Sequence, residues 1–129
     1  LNIIAGKFEN VEGPVKKHNV EPIFFDIELN DNKKINLEVP KTHNSFVYLL
    51  KGDVKIGKNN TRKINDSNLV LLSSGTELEV YANKKSRFLF IAGKPIGEQI
   101  ARGGPFVMNT KQEIQQAIKD YNNGTFAKY

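Results

Sequence analysis

An alternating run of residues, a turn and a second alternating run constrain this fold more than any other feature of the sequence. Between Glu21 and Leu29, apolar side chains at every second position would share one face of an extended strand. Asn30–Asn32 is predicted to turn, because Asn and Asp tolerate left-handed conformations and hydrogen-bond to nearby backbone. The alternation resumes at Lys33 and continues to Val39, where Pro40 ends it. Half-buried strands joined by a short turn are typical of antiparallel, mainly β proteins.

Further short strands are predicted in the middle of the chain. Ser45–Leu50 reads as a strand, and Gly52-Asp53 is expected to turn the chain into Val54–Ile56. The continuous apolar run from Asn68 to Leu72 predicts a strand that is buried on both faces.

The last two predicted strands are Thr76–Tyr81 and Ser86–Ile91, which we expect to pair as a hairpin over Asn83–Lys85. The total is about eight short strands separated by turn residues, a pattern typical of sandwiches, jelly rolls and small barrels. The sequence therefore predicts an all-β domain.

A single helix is predicted near the end of the chain. Thr110 and Glu113 have the spacing of a capping box, and Asn122–Gly124 supplies a stop. The helix carries one apolar stripe: Ile114, Ala117, Ile118 and Tyr121. Because so short a helix is marginal alone, we expect it to dock through this stripe, with Phe106 and Met108 offering apolar contact.

Composition narrows the function classes. The 129 residues include no Cys, so disulfides, thiolate metal sites and a Cys nucleophile are excluded, and a reducing cytoplasm is the default compartment. No apolar run approaches the roughly 20 residues of a membrane span. The net charge is +5, but the lysines are dispersed, which favours a solvated surface over a nucleic-acid site.

Few residues offer chemistry. The two histidines are His18, predicted to lie on the surface, and His43, at a strand entrance without a second imidazole nearby. Glu77 and Glu79 share a strand face, which more simply indicates a solvated sheet. No nucleophile motif surrounds Ser73 or Ser74. If the mouth of a barrel binds a ligand, the candidate lining is His43, Tyr48 and Tyr81.

Several stretches resemble the pirin family of the cupin superfamily. They are AGKPIGEQI at Ala92–Ile100, GPFVMNT at Gly104–Thr110, EIQQAIKDYNNGTF at Glu113–Phe126 and HNSFVYLLKGDVKIG at His43–Gly57. Pirins have two cupin domains, and the chain is similar to the second. The resemblance implies that residues 1–129 form one cupin jelly-roll domain with a C-terminal α-helix. It also implies a metal cupin upstream, where iron is held by three His and one Glu that have no counterpart here.

Two functions follow from this resemblance. In the first, the chain is the structural or protein-interaction half of a pirin-like protein, without a metal of its own and with the N-terminal cupin as its partner. Docking would then use Phe106, Met108, Ile114, Ile118 and Tyr121. In the second, the intact protein is a metal-dependent quercetin 2,3-dioxygenase whose active site lies outside this chain. No nucleic acid or membrane is expected as a partner, whereas a further protein partner is compatible with the family.

Overall fold

The structure, a computed structural model, describes residues 1–16, 19–60 and 62–127, so His18 lies outside the described residues. Contacts divide the chain into one unit at Leu1–Pro95 and a second at Ile96–Tyr129. The first unit contains β1 (Asn2–Ala5), β2 (Lys7–Phe8), β3 (Val11–Glu12), β4 (Ile23–Leu29), β5 (Lys34–Glu38), β6 (Asn44–Ile56), a 3-10 turn (Lys58–Asn60), β7 (Arg62–Asn65), β8 (Leu69–Leu71) and β9 (Glu77–Gly93). The second contains β10 (Ala101–Gly103), β11 (Phe106–Met108) and α1 (Lys111–Asn122).

Two long strands, β6 and β9, organise the first unit. They run antiparallel along most of their lengths, and each pairs with shorter strands on its other edge. One group, which we call the first half-sheet, consists of β1, β4, β8, the C-terminal part of β9 and the N-terminal part of β6. The second half-sheet consists of β5, β7 and the remaining parts of β6 and β9. Each long strand therefore belongs to both half-sheets.

Between the half-sheets, both long strands bend. The β6–β9 register shifts three times between Leu49 and Val54, and Gly52 has a φ of 117°. Ser86 in β9 faces this bulge: its hydroxyl accepts from Asp53 N at 3.0 Å and donates to Lys84 O at 2.7 Å. The predicted turn at Gly52-Asp53 and the predicted hairpin over Asn83–Lys85 are thus both wrong. A bulge lets a strand change direction without ending, so these turn-like residues lie within continuous strands.

The connection between β4 and β5 is the turn that the sequence predicts. Lys33 N donates to Asn30 O at 3.2 Å, and Asn32 adopts the left-handed conformation with a φ of 58°. The two strands do not pair with each other. Instead, β4 pairs with residues 86–92 of β9 and β5 pairs with residues 77–81. The turn therefore carries the chain from one half-sheet to the other.

One apolar core is shared by both half-sheets, because alternate side chains of every major strand point inward. Its largest fully buried members are Phe25, Ile27, Leu37, Val47, Leu49, Val54, Val80, Phe88 and Phe90. The apolar periodicity at Ile23–Leu29 and Lys33–Val39 correctly predicts which residues of β4 and β5 face the core. The expectation for Asn68–Leu72 is wrong, since Leu69 is 54% exposed and Leu71 is 76% exposed. Val70 and Leu72 pack against the core, whereas Leu69 and Leu71 project from the opposite face of the sheet, which is open to solvent.

The second unit is a hairpin with a helix against it. Strands β10 and β11 pair antiparallel around Gly104, which has a φ of 58°. The capping box is confirmed: Glu113 N donates to Thr110 Oγ1 at 3.2 Å, and Thr110 N donates to Glu113 Oε2 at 2.7 Å. No helix in the described ranges is long and apolar enough to cross a membrane.

Only half of the predicted helix stripe is buried. Ile114 and Ala117 are buried, and a Cβ placed on Gly103 of the hairpin would overlap the side chain of Ile114. Ile118 is 41% exposed and Tyr121 is 66% exposed. The helix packs on its own hairpin through the side that carries Ile114 and Ala117, and the ring of Tyr121 contacts Phe106 of that hairpin.

Candidate functional site

The outer faces of the two half-sheets have opposite character. Residues paired across antiparallel strands project to the same side of the sheet. In the first half-sheet, Phe46 pairs with Leu71 and Ile91, and Tyr48 pairs with Leu69 and Leu89. Together with Phe24 of β4 these residues form a continuous surface, which we call the apolar outer face: Phe24, Phe46, Tyr48, Leu69, Leu71, Leu89 and Ile91.

The second half-sheet presents charged and polar groups instead. Its outward positions are Lys34, Asn36, Glu38, Lys55, Lys63, Glu77, Glu79 and Tyr81. Lys34 Nζ lies 3.2 Å from Glu79 Oε2, and Lys63 Nζ lies 2.9 Å from Asp53 Oδ2. The predicted solvated face at Glu77 and Glu79 is this surface. One outer face of this unit is therefore charged and polar, whereas the other is apolar.

An ion pair borders the apolar outer face. Arg87 Nε and Nη2 donate to the two carboxylate oxygens of Asp26 at 2.9 and 2.7 Å. These hydrogen bonds, with the positive charge of Arg87, lower the pKa of Asp26. The same hydrogen bonds, with the negative charge of Asp26, raise the pKa of Arg87. A bidentate pair fixes both side chains, so it gives the apolar outer face a defined polar edge.

Sequence alone contains a signal for this surface. The strings FVYLL at 46–50 and FLFIA at 88–92 are apolar at both parities, and a strand with this composition is usually covered on both sides. Ordinary alternation accounts for the core, and the surplus apolar residues account for the apolar outer face.

The ring of His43 is held by one backbone carbonyl and one side-chain hydroxyl. It is buried, and its Nε2 lies 2.9 Å from Glu21 O. A carbonyl only accepts, so Nε2 carries the proton and Nδ1 is left to accept from Thr42 Oγ1 at 3.4 Å. A cavity of about 230 Å³ lies beside the ring, with Glu12, Glu21 and Pro40 among its lining.

The residues present do not fit an iron site. Within residues 1–16, 19–60 and 62–127, no three His, Cys, Asp or Glu side chains cluster closely enough to hold a metal ion. Both nitrogens of His43 already have partners, and the space between the half-sheets is filled by Phe and aliphatic side chains. A metal-ligating His needs one free nitrogen directed at the ion, together with further donors.

The structure places the three candidate pocket residues in different surroundings. Tyr48 lies on the apolar outer face of the first half-sheet, and Tyr81 lies on the polar face of the second. The Tyr81 hydroxyl donates to Asn32 Oδ1 at 2.8 Å. Of these three residues, His43 is the one that lines a cavity described here, the cavity of about 230 Å³.

The candidate docking residues all belong to the second unit. Phe106 lies 5.9 Å from Tyr121 and 5.1 Å from Phe126 between ring centres, so the three rings form a small cluster. Met108 is half-buried in β11, and Ile114 is buried against Gly103. Ile118 remains on the open side of the helix.

Comparison with known proteins assigns the chain to a family. The family model of the Pirin C-terminal cupin domain matches residues 24–127 of this chain. The chain is 33% identical to a candidate quercetin 2,3-dioxygenase of Pseudomonas aeruginosa, over 98% of this chain and 46% of that protein. It is 39% identical to mouse pirin, over 94% of this chain and 42% of pirin.

A solved structure agrees. The crystal structure of a quercetin 2,3-dioxygenase from Acinetobacter baumannii matches with a TM-score of 0.81 and 35% identity, over 97% of this chain and 43% of that chain. The chain therefore spans less than half the length of each of these relatives. The match supports the predicted jelly-roll fold with one C-terminal helix. The chain belongs to the pirin family of the cupin superfamily, and it corresponds to the family's C-terminal cupin domain.

Proposed function

We propose that this chain is the structural, protein-interaction half of a two-domain pirin-like protein, with residues 1–129 forming a single pirin-like domain. Its partner is an N-terminal metal-binding cupin of the same protein, and the apolar outer face is the surface that packs against it. The observation that carries the proposal is the contrast between the two outer faces of one unit.

The energetics favour such a contact. Monomeric proteins rarely leave a large contiguous apolar surface in water, and a large one usually marks an interaction site. Each Å² of apolar surface removed from water contributes roughly 25 cal/mol, and Leu69 and Leu71 are still mostly exposed in this chain. More than half of each relative's length lies outside the region that matches this chain. That length is enough for a second domain that covers the apolar outer face.

Thiol labelling tests this docking directly, because the chain contains no Cys. Leu71→Cys places a thiol on the apolar outer face, and Asn36→Cys places a matched thiol on the polar face. We expect Leu71→Cys to react at least tenfold more slowly in the intact protein than in this chain, as mapped by mass spectrometry, because burial excludes the reagent. Asn36→Cys should react equally in both. Equal rates for Leu71→Cys would overturn the proposal.

The open side of α1 is proposed as a second docking surface. Ile118 and Tyr121 are exposed apolar side chains that follow the buried Ile114 on the same helix, beside Phe106 and Met108. Exposed apolar residues continuous with a packed stripe are typical of a face completed by another domain. Whether a further protein uses the same face is tested by competition with the intact protein.

A second candidate function concerns the intact protein. Two of the relatives carry the name quercetin 2,3-dioxygenase. We therefore propose that the intact protein is a metal-dependent enzyme of this type in the cytoplasm, with its iron bound in the N-terminal cupin. Quercetin cleavage should be seen with the intact protein and not with this chain. Stoichiometric iron bound by residues 1–129 alone would overturn the assignment of the metal to the N-terminal cupin. If neither the intact protein nor this chain cleaved quercetin, the proposed dioxygenase activity would be wrong.

A further inference from the structure

The open end of the first unit contains a cavity of about 420 Å³. It lies away from the bend, where strands begin and end: Ser45 is near the start of β6, Ile56 ends β6, Arg62 begins β7 and Leu78 is near the start of β9. Val39 and Leu72 complete its apolar wall. Ligand sites in proteins are concave and combine apolar walls with polar groups, and the volume of this cavity falls within their usual range.

A buried hydroxyl faces this cavity. Ser45 lies on the inward side of β6 and is only 9% exposed. Its carbonyl accepts from Leu72 N at 3.0 Å, but among the described residues its Oγ has no hydrogen-bond partner. Buried hydroxyls in native structures are nearly always paired, so this one is available to pair with a molecule that enters the cavity. The hydroxyl can donate to an acceptor atom placed in the cavity.

Arginine stands at the rim on the same side. Arg62 pairs with Ile56 across β6 and β7 and is two residues from the buried Ile64, so it leaves the strand on the inner face. Lys58 also lines the cavity. Glu77 is the acidic group in the lining, so two cations oppose one carboxylate. The rim therefore favours a negatively charged group.

We propose that this cavity binds a small carboxylate with an apolar body, such as an aromatic or branched-chain acid. The body lies against Val39, Ile56 and Leu78, the charge lies beside Arg62, and Ser45 donates a hydrogen bond to the ligand. A planar guanidinium suits a carboxylate because it offers two parallel donors. This site is separate from the residues that sequence alone suggests for the barrel mouth, His43, Tyr48 and Tyr81.

NMR titration of the isotope-labelled chain with 3-phenylpropionate tests the proposal, with 3-phenylpropionamide as the uncharged probe. We expect saturable amide shifts at Gly57, Ser73 and Gly75, which line the cavity, and at least roughly tenfold weaker binding of the amide. An absence of shifts at these amides up to about 10 mM acid, or equal binding of both probes, would overturn the proposal.

A pair of adjacent substitutions separates binding from folding. Arg62→Gln should weaken binding of 3-phenylpropionate roughly tenfold, because it removes the charge at the rim. Lys63→Gln removes the same charge one residue later, on the outer face, and should leave binding unchanged. Ser45→Ala should weaken binding while keeping the fold, since it removes only the hydroxyl. If Arg62→Gln and Lys63→Gln weakened binding of 3-phenylpropionate equally, the ligand would respond to the overall charge of the chain and not to Arg62. That result would contradict the proposed site.

Discussion

Gly52 of β6 lies directly against Ser86 of β9, at the point where both long strands bend. A Cβ placed on Gly52 would lie 2.6 Å from the Cα of Ser86, and the backbone of Gly52 has a φ of 117°. The same Ser86 hydroxyl accepts from Asp53 N at 3.0 Å. Close backbone approach, a positive φ and a partly buried hydrogen bond therefore coincide at one junction between the half-sheets.

Gly52→Ala should destabilise the chain by about 3 kcal/mol, because it adds an unfavourable conformation to an overlap with backbone atoms that cannot move aside. Gly75→Ala is the matched control, since a Cβ there meets nothing within 4 Å. Its effect should stay within about 0.5 kcal/mol. Urea denaturation of both variants decides the matter, and equal midpoints would show that the bend does not depend on Gly52.

Ile114 and Ile118 should respond differently to substitution, although both belong to the apolar stripe of α1. Ile114→Ala should reduce the stability of the helix against its hairpin by about 2–4 kcal/mol, because it empties a buried position against Gly103. Ile118→Ala should change it by less than about 1 kcal/mol in this chain. Amide hydrogen exchange along α1 measures both effects. Equal loss of protection in the two variants would contradict the packing.

Thr110→Ala should destabilise α1 by about 1 kcal/mol, because Glu113 N loses its acceptor. Thr110→Ser keeps a side-chain oxygen and should retain most of the stability. Circular dichroism at the helix minimum during thermal unfolding reports the difference. A Ser variant as unstable as the Ala variant would show that the hydroxyl is not what caps the helix.

Acid should weaken the ion pair between Asp26 and Arg87. Arg87 lowers the pKa of Asp26 in the folded chain, so the native state binds fewer protons than the unfolded state, in which an Asp has a pKa near 3.9. The contribution to stability is therefore complete above the unfolded pKa and is lost as the pH falls through the folded pKa.

Asp26→Asn should accordingly be less stable than the natural chain at pH 7, and the gap in urea midpoint should close as the pH falls toward about 2. Asp31→Asn, in the exposed turn after β4, serves as the control and should show little loss of stability at pH 7. A gap for Asp26→Asn that is independent of pH would mean that charge on Asp26 is not its source.

Local patterns predict the elements of this fold well, but not how the long strands continue. The alternation at Ile23–Leu29 and the capping box at Thr110 each depend on neighbours within a few residues, and both are confirmed. Gly52-Asp53 and Asn83–Lys85 have the composition of turns. What keeps them within strands is the hydrogen bonding of Ser86 to partners 33 residues away, which no local window contains.

The sequence alone did not predict the apolar outer face or the cavity at Arg62, because both depend on strand pairing. Leu69 and Leu71 look like core residues because hydrophobicity does not reveal which side of a strand is covered. Arg62 looks like one of many dispersed cations until its register with Ile56 shows that it faces inward. Strand pairing, rather than residue type, distinguishes these positions.

The arrangement of β9 also sets the order in which the first unit can assemble during synthesis. Strands β4 and β5 obtain their main partner only when residues 77–93 have left the ribosome, since both pair with β9. Until then, Phe25, Ile27 and Leu37 have no opposite wall to pack against. Several apolar strands of the nascent chain therefore remain unpaired until β9 has been synthesised. The chain is most prone to aggregation just before that segment emerges from the ribosome.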